Sequence, residues 1–311
     1  MRKSIADVQN LSKQGFTIAL DDFVLTEETE PLLKIADIVK MDVLNTSEQC
    51  LIQTVETLKE YPLKLLAEKV EDYAMYQQCV EMGFHYFQGF FLCKPENIQG
   101  KALQSSQLTI LRILASLQNP NITINEVESL VEQDPVLSYK VLRLINSPSL
   151  RVQQEVTSIR KAISLLGLDQ IKRWASIISL TKLASKPDAL LLGALFRAKM
   201  CEEVAVRGKL KEPQMYFTVG LFSMLDAFMD KPISEILKQL PLSEVVNTAI
   251  ISKKGLPGNI LNMVLMHDRG EWDNIPWKKL KTKLGIDDKI FEESQRAAIN
   301  WSQDIFSLTA K

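Results

Sequence analysis

The sequence is poor in the residue types that build metal centres and covalent cross-links. It contains only two histidines, His85 and His267, whereas metals of borderline softness are usually held by imidazole nitrogen together with carboxylate oxygen. Its four cysteines are separated by long intervals and show no C-x-x-C or other ligand spacing: Cys50, Cys79, Cys93 and Cys201. These shortages argue against a thiolate metal site and predict buried, reduced thiols in a cytoplasmic protein.

Long apolar runs and basic runs are also missing. No apolar run approaches the roughly 20 residues that a helix needs to span a bilayer, and no cationic segment leads into an apolar stretch with a cleavage site. The formal net charge is −1, and no basic run is interleaved with aromatic residues, as nucleic-acid binding would favour. We therefore expect neither a membrane nor a nucleic acid as a partner.

Four short apolar runs in the first part of the chain each lead into a charged or amide side chain. The runs are FTIAL before Asp21 and Asp22, DIV before Lys40, KLLA before Glu68, and YF before Gln88. Helical patterns separate them at the spacing of βα units, which predicts parallel strands. Because the carboxyl ends of parallel strands converge on the active face of such folds, these side chains suit a divalent cation and a phosphate ester. The alternative is that they only mark where strands meet water.

Four strings in this order resemble the second half of the EAL domain of cyclic di-GMP phosphodiesterases: ALDDF (19–23), VKMD (39–42), AEKVE (67–71) and FQGFF (87–91). The resemblance implies a barrel related to the TIM type, two divalent metals at its C-terminal face and hydrolysis of one phosphodiester bond. It also implies a role for each matching residue: metal ligands for Asp21 and Asp22, the lysine near the attacking water for Lys40, a metal-site carboxylate for Glu68, the second glutamate of that motif for Glu71, and the neighbouring glutamine for Gln88.

The sequence departs from the EAL pattern in two places. The family's name-giving glutamate, an asparagine and a further glutamate lie upstream of the Asp-Asp strand, whereas residues 1–14 are predicted to form one amphipathic helix with Ile5, Val8 and Leu11 on its inner side. The family's Gly-Thr-Gly loop is replaced by residues 24–30, whose three glutamates would repel a phosphate. We therefore expect a vestigial site without cofactor or metal, and catalysis only if a missing upstream segment is present.

The second part of the chain shows helical periodicity from segment to segment, with helical punctuation between the segments. Thr123 with Glu126 predicts a capping box, Pro135 a first helical position, Gly167 a C-terminal cap, and Asp287 the start of the last helix. This pattern predicts an all-α domain.

The stretch from Thr123 to Gly167, with DPVLSYKVLRLINSPSL and VTSIRKAISLLG, resembles the HDOD domain. The resemblance implies a helical fold related to HD-type metal phosphohydrolases but generally without catalytic activity. Where a catalytic relative has His-Asp after Gly-Leu-Leu, this sequence has Ser223 and Met224, which cannot replace that ligand pair for a hard divalent ion. We therefore expect no metal in this domain, and the late His267-Asp268 pair is interpreted as a capping or surface pair.

The predicted fold class is α/β plus all-α: half of a TIM-like (β/α) barrel at residues 1–102, followed by an HD-related helical domain at residues 103–311. An EAL-type domain followed by an HDOD domain is a known architecture of bacterial signalling proteins. We expect a non-catalytic signal-transduction protein, not an enzyme, whose HDOD domain contacts regulatory proteins of its pathway. Self-association is left open.

The contact surface is predicted at the corner that contains Asn146, Ser147, Leu150 and Arg151, because an irregular stretch there interrupts two strongly periodic helices. A purely structural turn is the alternative, since Asn, Ser and Pro are common turn residues. A second hypothesis for the whole protein is a receptor in which the remnants of the EAL-type site still bind cyclic di-GMP weakly.

Overall fold

The computed structural model describes residues 2–26, 29–89, 105–119, 121–147, 155–183 and 187–309. The chain divides into two compact units, Met1–Lys94 and Pro95–Lys311. The predicted domain boundary between residues 102 and 103 lies outside the described residues and stays a prediction.

The first unit is a small α/β structure. Its elements are α1 (Arg2–Lys13), β1 (Ala19–Leu20), α2 (Glu30–Leu33), β2 (Ile38–Asp42), α3 (Glu48–Leu58), β3 (Lys64–Glu68), α4 (Tyr73–Met82) and β4 (Tyr86–Phe87). All four strands run parallel in the order β1-β2-β3-β4. The prediction of βα units with parallel strands is therefore confirmed, while half of a TIM-like barrel stays a prediction.

The sheet has one buried face, because alternate strand residues point to opposite sides. Val39 and Met41 of β2 and Leu65 and Ala67 of β3 are buried and belong to a core that also includes apolar side chains of α2, α3 and α4. β2 is longer than the apolar run that predicts it. Lys40 lies inside the strand, which continues to Asp42.

The second unit is helical in all of its described segments. Its helices are α5 (Ser105–Gln118), α6 (Ile124–Glu132), α7 (Pro135–Ile145), α8 (Ile159–Leu166), α9 (Leu168–Leu180), α10 (Asp188–Arg207), α11 (Pro213–Phe222), α12 (Leu225–Met229), α13 (Ile233–Leu237), α14 (Glu244–Ser252), α15 (Gly255–Asp268), α16 (Trp277–Leu284) and α17 (Asp288–Thr309), with a 3-10 turn at Trp272–Asn274. None of the helices described in the chain is long and apolar enough to cross a membrane.

The predicted helix boundaries of this unit are confirmed by their hydrogen bonds. The backbone N–H of Thr123 donates to Glu126 Oε2 at 2.7 Å, and the N–H of Glu126 donates back to Thr123 Oγ1 at 3.3 Å, which completes the capping box. Pro135 is the first residue of α7, Gly167 follows α8, and Asp287 Oδ1 accepts the N–H of Ile290 at 3.1 Å. Local chemistry therefore fixes these ends.

A close approach of two helices organises the core of the second unit. A Cβ atom added to Gly220 of α11 would lie 2.7 Å from Ala198 Cα of α10, so only glycine lets these helices meet at this distance. Ala198, Leu195 and Phe222 beside this crossing are fully buried.

The cysteines follow the sequence prediction only in part. Cys79 and Cys201 are buried, and burial raises the pKa of the Cys201 thiol to about 12. Cys50 is exposed, so the prediction of a buried thiol is wrong there, because its position on α3 faces away from the sheet. Cys93 lies outside the described residues.

Candidate functional site

Three of the predicted site residues meet at the carboxyl ends of β1, β2 and β3. Lys40 Nζ lies 2.6 Å from Asp21 Oδ1 and 2.6 Å from Glu68 Oε1. The register places Asp42 opposite Glu68, and Lys40 shares their side of the sheet because Met41 between them faces the core. Glu68 is only 7% exposed, whereas the Asp21 side chain is 68% exposed. We call Asp21, Lys40 and Glu68 the strand-end cluster.

The charges of the strand-end cluster stabilise one another. The hydrogen bond from Lys40 lowers the pKa of Asp21. The hydrogen bonds to Asp21 and then to Glu68 raise the pKa of Lys40. The ammonium group therefore stays protonated at neutral pH and lies between the two carboxylates. Two carboxylates against one ammonium leave the cluster negative, which opposes the approach of a phosphate.

A second ion pair next to the cluster was not predicted from the sequence. Asp42 accepts hydrogen bonds from Lys69 Nζ, from Asn45 Nδ2 at 2.7 Å, and from the backbone N–H groups of Leu44 and Asn45 at 3.0 Å. Burial alone would raise the pKa of Asp42, but the hydrogen bonds from Lys69 and Asn45 outweigh it and lower the pKa to about 2. The spacing of two residues places Lys40 and Asp42 on one face of β2, but it gives no indication of Lys69.

The remaining predicted EAL-type residues lie around the cluster. Asp22 is exposed and has a left-handed φ of 45°. Gln88 is exposed as well, and its backbone continues the β3–β4 pairing, since its N–H donates to the carbonyl of Ala67 at 2.8 Å. Glu71 is half-buried. The structure thus places Asp22 and Gln88 at the same sheet end as the cluster, but outside its described ion pairs.

Gly89 belongs to the FQGFF string, but no role was predicted for it from the sequence. A Cβ atom there would lie 2.0 Å from the carbonyl oxygen and 2.4 Å from the nitrogen of Val70. The chain after β4 therefore packs backbone against backbone on the segment after β3. The Val70 N–H donates to the carbonyl of Gln88 at 3.0 Å in the same place, so glycine keeps the two strand ends paired.

In the second unit, Arg197 lies beside Ser223, the position at which the sequence resemblance implies a histidine in a catalytic relative. Arg197 Nη1 lies 3.4 Å from Ser223 Oγ, and Arg197 Nε lies 3.6 Å from Asp268 Oδ2. Ser223 Oγ donates to the carbonyl of Gly220 at 2.7 Å, and Met224 is buried with 1% exposure. The predicted lost metal positions, Ser223 and Met224, therefore face a guanidinium group and the apolar core, respectively.

Several ionisable groups near Arg197 have shifted pKa values. Burial raises the pKa of Asp268 and of Asp226, and the nearby Arg197 charge opposes the rise in both. Burial also lowers the pKa of Lys253. Asp268 is the last residue of α15 and is exposed, so its interpretation as a capping or surface residue stays a prediction, although its carboxylate also pairs with Arg197 of α10. Sequence patterns gave no signal for Arg197, whose role depends on the packing of three distant helices.

His267, next to Asp268, belongs to an aromatic cluster. Its ring centroid lies 5.7 Å from that of Trp272 and 5.2 Å from that of Phe291, and burial lowers its pKa. Across the ranges that the structure describes, no group of three or more His, Cys, Asp or Glu side chains could hold a metal ion.

The predicted interaction corner has a structural role for its first residue. Asn146 Nδ2 donates to the carbonyl of Val156 at 2.8 Å, and the N–H of Val156 donates to Asn146 Oδ1 at 2.8 Å. This amide joins the two ends of the corner, which supports the structural alternative for Asn146. Ser147 Oγ is buried and has no hydrogen-bond partner among the described atoms. Leu150 and Arg151 lie outside the described residues.

Comparison with known proteins supports the predicted family of the helical unit. The family model of the HDOD domain matches residues 103–231. The chain is 32% identical over 302 residues to the cyclic di-GMP phosphodiesterase CdgJ of Vibrio cholerae, covering 96% of this chain and 69% of CdgJ. It is 31% identical over 312 residues to the uncharacterized protein YuxH of Bacillus subtilis, covering 97% of this chain and 75% of YuxH. The chain belongs to the HDOD-domain family of these two proteins. It is an HDOD-domain signalling protein related to CdgJ and YuxH.

The HDOD match includes the corner after α7 and the Ser223-Met224 pair, while Asp268 lies beyond its end at residue 231. Among solved structures, an HDOD domain protein of unknown function from Geobacter sulfurreducens is similar, with 21% identity and a TM-score of 0.39. That similarity covers 64% of this chain and 72% of the other. A similarity this distant carries no argument about activity.

Proposed function

We propose that this HDOD protein is a non-catalytic signal-transduction protein that acts in the cytoplasm through contacts with regulatory proteins. Its first unit would be the second half of a degenerate EAL-type barrel, and its HDOD domain would supply the contact surface. The observation that carries this proposal is the position of Lys40 Nζ, 2.6 Å from both Asp21 and Glu68.

Phosphodiester hydrolysis with metals needs carboxylates that are available to the cations and a water that the cations activate. In the strand-end cluster, one oxygen of Asp21 and one of Glu68 already bind the Lys40 ammonium. A divalent ion at these two carboxylates would lie close to that ammonium and be repelled by it. The cluster therefore favours a stable internal ion pair over an active metal centre.

The HDOD domain supports the same conclusion independently. A divalent ion bound near Ser223 would have to displace the Arg197 guanidinium or lie beside its charge. The neighbouring Met224 offers a buried thioether, which is a soft ligand that suits Mg²⁺ and Mn²⁺ poorly. Both features favour a domain that acts through its surface over one that binds a divalent metal.

A second candidate function is a cyclic di-GMP receptor. The observation in its favour is the 32% identity to CdgJ, a protein named as a cyclic di-GMP phosphodiesterase. In such a receptor, a ligand phosphate would have to draw Lys40 away from Asp21, which is the exposed member of the cluster. Binding would then be weak, because the phosphate competes with a carboxylate that is tethered nearby.

Calorimetric titration of the full chain with cyclic di-GMP, with and without Mg²⁺, separates the two functions. Chromatography of the same samples detects any linear dinucleotide. For the non-catalytic protein we expect no linear product above the buffer blank. For the receptor we expect binding that Lys40→Met abolishes and that Lys279→Met, a change of an exposed lysine on α16, leaves intact. Release of linear product that Lys40→Met abolishes would contradict the proposed function.

The contact surface is tested by replacing Leu150 and Arg151 together with alanine. We expect an unchanged melting temperature and a loss of signalling output in the native host, because arginine and large apolar side chains contribute strongly at interfaces. Full output from a well-folded variant would place the contact surface elsewhere on the HDOD domain.

A further inference from the structure

A cavity of about 480 Å³ lies in the helical unit, and its lining includes neither Arg197 nor any residue of the strand-end cluster. It is bounded by the end of α5, the corner between α8 and α9, the first turns of α9, and one face of α11. A volume of this size is typical of pockets for small ligands. Its floor is apolar, since Phe217, Leu221 and Phe222 line it and are buried.

Three glutamine side chains converge on this cavity from three different helices. Gln118 comes from α5, Gln170 from α9, and Gln214 from α11. In the part of the chain that the structure describes, none of these side-chain amides hydrogen-bonds to another protein group. Each primary amide offers both donors and an acceptor. Uncommitted amides that line a cavity with an apolar floor suit a ligand that is partly apolar and carries polar edges.

Two neighbouring cations of α9 complete the lining. The Lys172 ammonium has no ion pair or hydrogen bond within the described ranges, although it lines the cavity. The Arg173 guanidinium lies 4.0 Å from the centre of the Phe217 ring and donates two hydrogen bonds to Glu202. Of the five N–H groups that a guanidinium carries, the others have no described protein acceptor. Asp169 is the single acidic residue of the lining, and Glu202 pairs with Arg173 from outside it, so Lys172 is the cation of the lining that has no described partner.

From this convergence we propose that the cavity is a binding site for a small organic phosphate of the size of a nucleoside monophosphate. The phosphate would bind Lys172 and the free N–H groups of Arg173, since charge-assisted hydrogen bonds to Lys and Arg are the strong ones. The edge of the base would meet the glutamine amides, and the rest of the ligand would lie on the apolar floor. The site is separate from the strand-end cluster and does not depend on the proposed function.

The test is calorimetric titration of the full chain with GMP, AMP, guanosine and inorganic phosphate, each up to about 5 mM, a range that detects even millimolar dissociation constants. We expect at least one monophosphate to bind more tightly than guanosine or inorganic phosphate, because only the monophosphate uses both halves of the site. Lys172→Gln should weaken that binding about tenfold, as loss of a charge-assisted hydrogen bond predicts.

Matched controls come from the same chain. Lys279→Gln removes an exposed lysine of α16, and Gln303→Ala removes an exposed glutamine of α17. Both should leave the affinity unchanged, whereas Gln214→Ala should lower it while circular dichroism stays constant. The proposed site is wrong if no monophosphate binds, or if Lys279→Gln weakens binding as much as Lys172→Gln, since that equality would indicate general surface attraction. A failure of cyclic di-GMP to bind would not bear on this site.

Discussion

Replacement of Lys40 by methionine removes the cation of the strand-end cluster and keeps an unbranched side chain of similar length. Glu68, only 7% exposed, then lies beside Asp21 without a positive partner. Breaking a buried ion pair by removing one partner costs about 3–5 kcal/mol, and exposed pairs contribute about 0–1 kcal/mol. The Lys40 side chain is 21% exposed, which is intermediate. We expect the first unit to lose about 2 kcal/mol of stability at pH 7.

Hydrogen exchange measured by mass spectrometry suits this prediction, because it reports each unit separately. A loss of about 2 kcal/mol should speed exchange about 30-fold at the β2 and β3 amides that open with the whole unit. All four tryptophans, Trp174, Trp272, Trp277 and Trp301, lie in the second unit. Tryptophan fluorescence during urea unfolding therefore serves as an internal control, and its midpoint should change little.

A double-mutant cycle identifies the source of the loss. Glu68→Gln in the Lys40→Met background should restore most of the stability, because the uncompensated buried carboxylate is then neutral. Asp21→Asn alone should change exchange little, since its side chain is 68% exposed. Unchanged exchange in Lys40→Met, or an equal effect of Asp21→Asn, would refute the conclusion that the buried Lys40–Glu68 pair holds the strand ends.

Three other changes test the strand ends and the Arg197 region. Gly89→Ala should cost about 3 kcal/mol of stability, because the added methyl group would overlap with the facing backbone. Gly15→Ala, whose Cβ would meet no atom within 4 Å, should cost about 1 kcal/mol from its left-handed φ alone. Equal losses of stability in urea melts would disprove the close packing at Gly89. The pKa of Asp42 is depressed to about 2. Its ionised carboxylate should therefore stabilise the first unit above a pH of about 4, and this stabilisation should be lost as the pH falls towards 2. Asp42→Asn should remove this part of the acid transition. Arg197→Met should cost about 2 kcal/mol at pH 8, between the values for exposed and buried pairs, and less as the pH falls, because burial raises the pKa of Asp268 and the unpaired carboxyl then takes up a proton more readily. A loss independent of pH would exclude this coupling.

The parts of the fold that the sequence predicts well depend on neighbours in the chain. The capping box at Thr123 and Glu126 needs only a threonine three residues before a glutamate, and the structure has both of its hydrogen bonds. The parallel strands follow similarly from apolar runs at a regular βα spacing. Such signals are local, so one sequence is enough to identify them.

The parts that the sequence does not predict depend on register and on packing between distant segments. Asp42 lies outside the apolar run DIV that predicts the strand, and the pairing opposite Glu68 includes it in β2. Lys69, its partner, adopts a left-handed φ of 58° that no propensity would suggest for lysine. Arg197 and Asp268 are far apart in sequence and meet only because α10 packs against α15. Each of these contacts needs three-dimensional information.

Both units place a side-chain cation beside carboxylates. Lys40 lies between Asp21 and Glu68, and Arg197 lies beside Ser223 and Asp268. A tethered ammonium or guanidinium supplies charge and directed hydrogen bonds, as a metal does, but it has no open coordination position and cannot lower the pKa of a bound water. Such a cation can therefore hold the strand ends and helices in place without supporting hydrolysis. The surfaces that these elements carry would then keep their shape whatever the supply of metal ions, which is the property that a protein acting through contacts requires.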